Sequence, residues 1–382
     1  MRNNIKIIYL AGFLFTMTLA MTSYINSSFL QVYLNEYYVG IIYIVASIVT
    51  ILGLLQMPKI LTVLGNRRTT LVFSLIALLS LISLSYNGNA YIVVFGFIIY
   101  FVSTTFVITS LDIFIEAFSK NSSIGKFRGL YLVVINSAWV IAQLFSGEII
   151  LRSSFSGIYY ISAIFMILFV VIFILYMHDF KDPKYIKVPV KKTIKLFSSN
   201  KNLMRVYSIN LIFKFFLAWM VIYTPIYLHE YIGFAWDKIG IIFTIMLLPY
   251  VLLEFPLGQL SDKIGEKKML LIGFLICTIA TLMIPLINEP KVWIWAVILF
   301  TTRVGAAMME VMSESYFFKS VTERNDDKIS FFRNTYPLSY LIAPLIAVPV
   351  LLLVPSFKYL FFVLVIILLF GFLITLRIKD VK

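Results

Sequence analysis

Gly258-Gln-Leu-Ser-Asp262-Lys263-Ile-Gly265-Glu-Lys267-Lys268 is a brief polar loop between two long apolar runs. Two hundred positions earlier, Pro58-Lys-Ile-Leu-Thr62-Val-Leu-Gly65-Asn-Arg67-Arg68 stands in the same setting. Similar apolar tails follow: Thr-Thr-Leu-Val-Phe-Ser-Leu-Ile from Thr69 and Met-Leu-Leu-Ile-Gly-Phe-Leu-Ile from Met269. A loop duplicated within an apolar chain implies a duplicated bundle.

Composition says where that bundle lives. Of 382 residues, 61% are hydrophobic and 13% charged, too few charges to cover a soluble protein of this length. The apolar runs reach the ~20 residues that cross ~30 Å of hydrocarbon as helix, so the chain reads as an all-α integral membrane protein. Twelve spans are expected, at about 7–33, 39–62, 69–86, 90–115, 129–151, 157–177, 203–228, 238–258, 269–287, 292–317, 333–354 and 358–377. The start lacks a convincing cleavage site and reads as the first span. Cys277 stands alone, so no internal disulfide is expected.

The net charge of +14 would suggest nucleic acid in a soluble protein. Here 26 Lys and Arg fall in one alternate set of loops and termini and 4 in the other, with Lys214 and Arg303 left inside spans. That is the positive-inside pattern, and it puts both termini in the cytoplasm. The Lys-rich segment 178–201, with Pro183 and Pro189, reads as a cytoplasmic linker between six-span bundles at 1–177 and 202–382.

The halves match beyond the loop. Tyr33-Leu-Asn-Glu36-Tyr37 pairs with Tyr227-Leu-His-Glu230-Tyr231 at an offset of 194, and Gly40-Ile-Ile with Gly240-Ile-Ile at 200. Asp112-x-x-x-Glu116 pairs with Glu310-x-x-x-Glu314 at 198. On these residues the chain resembles the major facilitator superfamily of secondary transporters, over its whole length. The superfamily's signature follows spans 2 and 8, roughly Gly-x-x-x-Asp-Arg/Lys-x-Gly-x-Arg/Lys-Arg/Lys. The second copy fits through Gly258, Asp262, Lys263, Gly265, Lys267 and Lys268. The first keeps Gly65, Arg67 and Arg68 but has Pro58 for the leading Gly and Thr62 for the Asp. The resemblance implies twelve spans in two pseudo-symmetric six-helix bundles, a monomer, and a cytoplasmic latch at Asp262 that Thr62 can match only with a neutral hydrogen bond. The Lys and Arg residues equally suit a purely topological role. Gly258 is expected at a close helix approach.

Charges near mid-membrane cost about 3 kcal/mol each on insertion scales. Arg303, Glu310 and Glu314 share one helix face, and Thr105, Thr109, Asp112 and Glu116 repeat that stripe 198 residues earlier without the cation. Lys214 lies at similar depth, with Asn210 one turn before it. In the family, spans 1, 4, 7 and 10 line a central cavity; carried over, Lys214 and Arg303 face it, and spans 1 and 5 bring Asn26, Gln31, Asn136 and Gln143. The asymmetry favours an anionic or phosphate-bearing solute. The competing reading pairs both cations internally, with Glu310, Glu254 or helix carbonyls. Asp112, Glu116, Glu310 and Glu314 read as a charge relay with Arg128 and Arg333 at the inner surface, or as proton-coupling groups; Glu254 lies near the Asp262 latch.

No Gly-x-x-x-x-Gly-Lys-Ser/Thr occurs, so direct nucleotide hydrolysis is unsupported. Two His and one Cys make no metal cluster, and neither cofactor nor nucleic-acid partner is expected. The chain reads as a multi-pass transporter moving a small organic solute by alternating access, coupled to a proton, a counter-anion or the solute's own gradient. The runner-up is export of drugs, amphiphiles or lipid precursors. A different class is a receptor, assembly partner or passive scramblase of the same fold. An abundance of Ile, Asn, Lys, Tyr and Phe suggests an AT-rich bacterial genome and a cytoplasmic membrane.

Overall fold

The computed structural model describes residues 2–86, 88–119, 124–177, 182, 185, 197–320 and 331–379; of these, the side chains of 2–5, 116–119, 124–129 and 262 lie outside the description. The described residues form helices and no strand. In hydrocarbon every backbone polar group needs an internal partner, and a helix supplies it within one segment. Among the described residues the α-helices are α1 (Arg2–Ser23), α2 (Asn26–Gln31), α3 (Glu36–Ser85), α4 (Ala90–Ser119), α5 (Ile124–Tyr176), α6 (Lys201–Ile226), α7 (Trp236–Leu252), α8 (Glu254–Ile264), α9 (Glu266–Met283), α10 (Val292–Ser320), α11 (Thr335–Leu353) and α12 (Tyr359–Leu376), beside shorter helical turns. Merging adjoining segments, ten stretches among the described residues are long and apolar enough to cross a membrane.

Hydroxyls inside these helices bond back to the preceding turn, as Thr50 Oγ1 does to the Ala46 carbonyl and Ser74 Oγ to that of Thr70. This lets a polar side chain sit in an apolar phase at little cost. Caps appear where helices start in water: Asn35 Oδ1 accepts from the Tyr38 amide, and Asn200 Oδ1 from those of Asn202 and Leu203.

Several expected boundaries are corrected. The signature segment is not a loop. In the first copy α3 runs through it with one non-helical residue, Gly65 at φ 76°, ψ 162°. In the second, α8 ends at Ile264 and α9 begins at Glu266, with Gly265 at φ 90°, ψ 146° between them. Both dihedral pairs are open to Gly and strained for other residues. Expected spans 5 and 6 likewise fuse into α5, interrupted at Ser154 with φ 56°, ψ −168°. Span 1 divides into α1 and α2 at a turn over 24–25, and span 8 into α7 and α8 at Leu253. Pro249 lies four residues before that break, where a missing N–H weakens the ladder.

By packing, the chain divides into two compact units, Met1–Lys187 with Ala235–Ile241, and Val188–Phe234 with Ile242–Lys382. In the first, α1 packs along α5 and α3 along α4. Phe73 and Phe106 stack with centroids 4.2 Å apart. In the second, α9 packs against α10 and α12, and α6 against α10, α11 and α12. There α9 and α10 meet through glycines. A Cβ on Gly305 would lie 2.5 Å from the Gly273 carbonyl oxygen and 2.7 Å from the Cys277 nitrogen.

Candidate functional site

Lys214 of α6 and Glu310 of α10 form an ion pair, Nζ to Oε1 2.8 Å, with side chains 17% and 28% exposed. The charges of Glu314 and Arg333 also act on Lys214, and its ammonium sits over the Phe213 ring. One turn before Lys214, buried Asn210 donates from Nδ2 to Thr335 Oγ1 at 2.8 Å and accepts from Ser313 Oγ at 3.4 Å. Its amide joins α6 to α10 and to the start of α11. Arg303 is fully buried, its guanidinium 5.2 Å from the Phe216 ring centroid, close enough for a cation–π contact. The structure therefore joins three of the expected residues, Asn210, Lys214 and Glu310, around one face of α10, with Arg303 two turns further along that helix.

The first unit gathers neutral groups instead. Asn26 Oδ1 accepts from the Tyr159 hydroxyl at 2.8 Å, and Gln143 Nε2 donates to the Ala20 carbonyl at 2.7 Å. Both bonds tie the α1–α2 region to α5. Thr22 Oγ1 and the Tyr100 hydroxyl lie 2.8 Å apart, linking α1 to α4. Thr105 and Thr109 bond back to Phe101 and Thr105 carbonyls. Asn136 and Asp112 are half-buried. The ring of Tyr131, on α5, lies over α1, where a Cβ on Gly12 would come 2.5 Å from it. The side chains of Glu116 and Arg128 lie outside the described residues.

Around the signature copies the two units differ again. Asn66, fully buried, donates from Nδ2 to the Ser110 carbonyl of α4 at 2.9 Å, and Arg67 Nη2 to that of Ile174 at 3.2 Å. Thr62 Oγ1 turns back to the Pro58 carbonyl. At the position matching Asn66, Glu266, 2% exposed in its side chain, takes Lys319 Nζ at 2.5 Å and Ser315 Oγ at 3.1 Å, both from α10. Arg68, Lys263 and Lys268 are exposed and Lys267 half-buried. The Asp262 side chain lies outside the described residues, so its expected latch partner does too. Gly258 makes no close approach: among the described residues nothing lies within 4 Å of a Cβ placed there. Glu254 opens α8, half-buried.

Sequence reasoning missed one functional-looking residue, Asp182. Its Oδ1 accepts from the Asn66 amide at 2.8 Å and from the Tyr185 hydroxyl. Burial, then the bond to Asp182, pushes the Tyr185 phenol well above its usual range, so it stays a donor. A signal was present: Lys181-Asp182 recurs as Lys379-Asp380, at the offset of 198 that also relates Asp112 to Glu310.

Comparison with known proteins then decides the family. The model of the Major Facilitator Superfamily matches residues 8–238 and again 224–382. The chain belongs to the Major Facilitator Superfamily. Among solved structures it resembles a POT family transporter in complex with a thioalcohol-conjugated peptide, at TM-score 0.78 and 12% identity, over 98% of this chain and 95% of that one. It also resembles an auto-inhibited POT family peptide transporter, at TM-score 0.74 and 13% identity, over 99% and 98%. At such identities the likeness is one of fold. No curated protein matches the chain. Superfamily membership makes this a multi-pass membrane protein of a transporter family.

Proposed function

We propose that this superfamily member is a secondary active transporter that crosses the membrane twelve times, keeps both termini in the cytoplasm, and moves a small anionic or zwitterionic organic solute by alternating access. At 50 and 53 residues, α3 and α5 are each over twice the ~20 residues of one crossing. Dividing them at Gly65 and Ser154 turns ten candidate spans into twelve. Arg67, Arg68, Lys263, Lys267 and Lys268 cluster at the two glycine junctions, against Arg152 alone near Ser154. That imbalance supports the orientation.

The observation that carries the solute reading is the Lys214–Glu310 pair, mostly buried and still open on part of its surface. Desolvating two charges offsets most of their mutual attraction, so such a pair is a poor source of stability. It suits exchange. A carboxylate or phosphate on the solute competes with Glu310 for Lys214, and a proton taken by Glu310 releases Lys214. Solute and proton thus act on one bond, which is a direct means of coupling their movements. Arg303 then serves as a fixed positive charge along the same helix face.

The test is ligand-induced thermal shift on purified protein with anionic, zwitterionic, neutral and cationic solutes, short peptides among the zwitterions. Lys214→Gln and Arg303→Gln accompany the wild type. A ligand that binds only the folded state stabilises it, by about 2.7 kcal/mol at a hundred times its Kd, and so raises Tm. Anions or zwitterions should stabilise the wild type by several degrees, and Lys214→Gln should lose most of that shift while still folding. Equal shifts in wild type and both variants, or stabilisation by cations and neutral amphiphiles only, overturn the solute class and favour export of amphiphiles.

A further inference from the structure

We infer that the acidic residue missing from the first signature copy is supplied from the linker: Asp182 takes over at the Gly65 junction the part that position 62 leaves vacant. Thr62 cannot fill it, because its hydroxyl is bonded within its own helical turn to the Pro58 carbonyl. The helix that restarts after Gly65 presents its first amides without i−4 partners, and their partial positive charge favours a carboxylate. Asp182 stands there. Its Oδ1 accepts from the Asn66 amide at 2.8 Å, and the Tyr185 hydroxyl donates to the same oxygen. Its Oδ2 occupies the place a side chain at position 65 would take, 2.5 Å from an ideal Cβ. Gly65 is therefore required twice, for its φ of 76° and for the room it leaves the carboxylate.

Two hydrogen bonds to one carboxylate, and its place beside Gly65, make Asp182 part of the first unit's junction, in keeping with the packing that groups Met1–Lys187 together. The second unit solves the same position differently. There the residue after the glycine is itself acidic, and Glu266 turns to Ser315 and Lys319 of α10. Asp182 is consequently a positioning residue: it fixes the angle between the helix before Gly65 and the helix after it. The effect on turnover rests on the transporter reading above; the contact itself does not.

Hydrogen exchange read by mass spectrometry separates the two. In Asp182→Ala, peptides covering 64–70 should exchange about tenfold faster than in wild type, while those covering 265–271 stay unchanged. Asp182→Asn keeps an acceptor oxygen and should fall between them, and Tyr185→Phe should shift the rate less. In vesicles reconstituted with whichever solute gives the thermal shift, Asp182→Ala should lower the maximal rate several-fold at nearly constant KM. Exchange at 64–70 within twofold of wild type in both Asp182 variants overturns the contact. Equal acceleration at 265–271 does so as well, since it marks general loosening. Faster local exchange with unchanged transport leaves the contact standing and removes the positioning role. A wild type that transports none of the solutes tried counts against the functional reading, and the exchange result is unaffected.

Discussion

Gly65 and Gly265 stand at matching places in the duplicated sequence and break their helices with nearly the same dihedrals, yet different groups hold the two junctions. The first is held by neutral Asn66 of α3, bonded to α4, and by the Asp182 carboxylate. The second is held by a buried carboxylate of its own, Glu266, on α10. The same division runs deeper into the membrane. The first unit ties its helices with amide, hydroxyl and phenol groups, and the second adds to such bonds the Lys214–Glu310 pair and a buried Arg303. Duplication kept the backbone geometry, which only glycine satisfies cheaply, and let the side-chain chemistry drift, because several pairings close the same gap.

The largest test of that contrast lies in how the helix after each junction packs. Phe73 on α3 and Gly273 on α9 are related by 200 positions. One stacks on Phe106; the other leaves room for Gly305. Gly305→Leu should abolish folding, since the new side chain meets backbone atoms rather than a movable side chain, and Gly305→Ala should cost about 1–3 kcal/mol. Phe73→Leu should cost only about 1 kcal/mol, the worth of an aromatic pair beyond its area. Thermal unfolding in detergent measures all three. A Gly305→Leu protein with near-native Tm would show that the α9–α10 contact can open, and that the two units pack less differently than they look.

A smaller effect separates the junctions by electrostatics. Glu266→Ala should cost about 1–3 kcal/mol, because it strands Lys319 and Ser315 donors at a buried site; the cost is tempered by Lys319, which is 43% exposed and can turn to water. Asn66→Ala should cost about 1 kcal/mol. Raising salt from 0.05 to 1 M shortens the screening length from over 10 Å to about 3 Å. The Glu266→Ala deficit should shrink across that range while the Asn66→Ala deficit stays constant. Identical salt responses would mean that Glu266 acts as a neutral hydrogen-bonding group, like Asn66, and the contrast between the junctions would be one of size alone.

Much of this architecture was legible in the sequence. Apolar run length announced the helices, and the repeated Gly-x-Arg/Lys-Arg/Lys and Gly-x-Lys-Lys marked both junctions before any coordinates. Two things were not. Hydropathy cannot tell a polar loop from a polar helical turn, so 58–68 and 258–268 read as loops although only one glycine in each leaves the helix. Partner choice was also hidden. Lys214 has no acidic residue on its own helix, and whether Glu310 or a solute meets it depends on how α6 and α10 pack. Asp182 escaped notice because a capping carboxylate 116 positions from its amide leaves no local spacing to read. Only the recurrence of Lys-Asp at 379–380 hinted at it.

The smallest effect concerns a third interruption, Ser154 in α5, which has the same sign of φ as the two glycines but carries a side chain. Holding a non-glycine residue at φ 56°, ψ −168° costs on the order of 1–3 kcal/mol. Glycine relieves that strain but brings about 0.5–1 kcal/mol of extra chain entropy to the unfolded state. Ser154→Gly should therefore stabilise the protein by about 1 kcal/mol, and Ser154→Ala should not. The reverse exchange, Gly65→Ser, should cost more than Ser154→Gly gains. It imposes the same backbone strain and also sets a Cβ against the Asp182 carboxylate. Both numbers come from one unfolding series. If Gly65→Ser costs no more than the strain relieved at Ser154, the carboxylate moves aside freely and the Gly65 junction needs glycine only for its dihedrals. A larger cost, removed when Asp182→Ala is added, assigns the excess to the Asp182 contact.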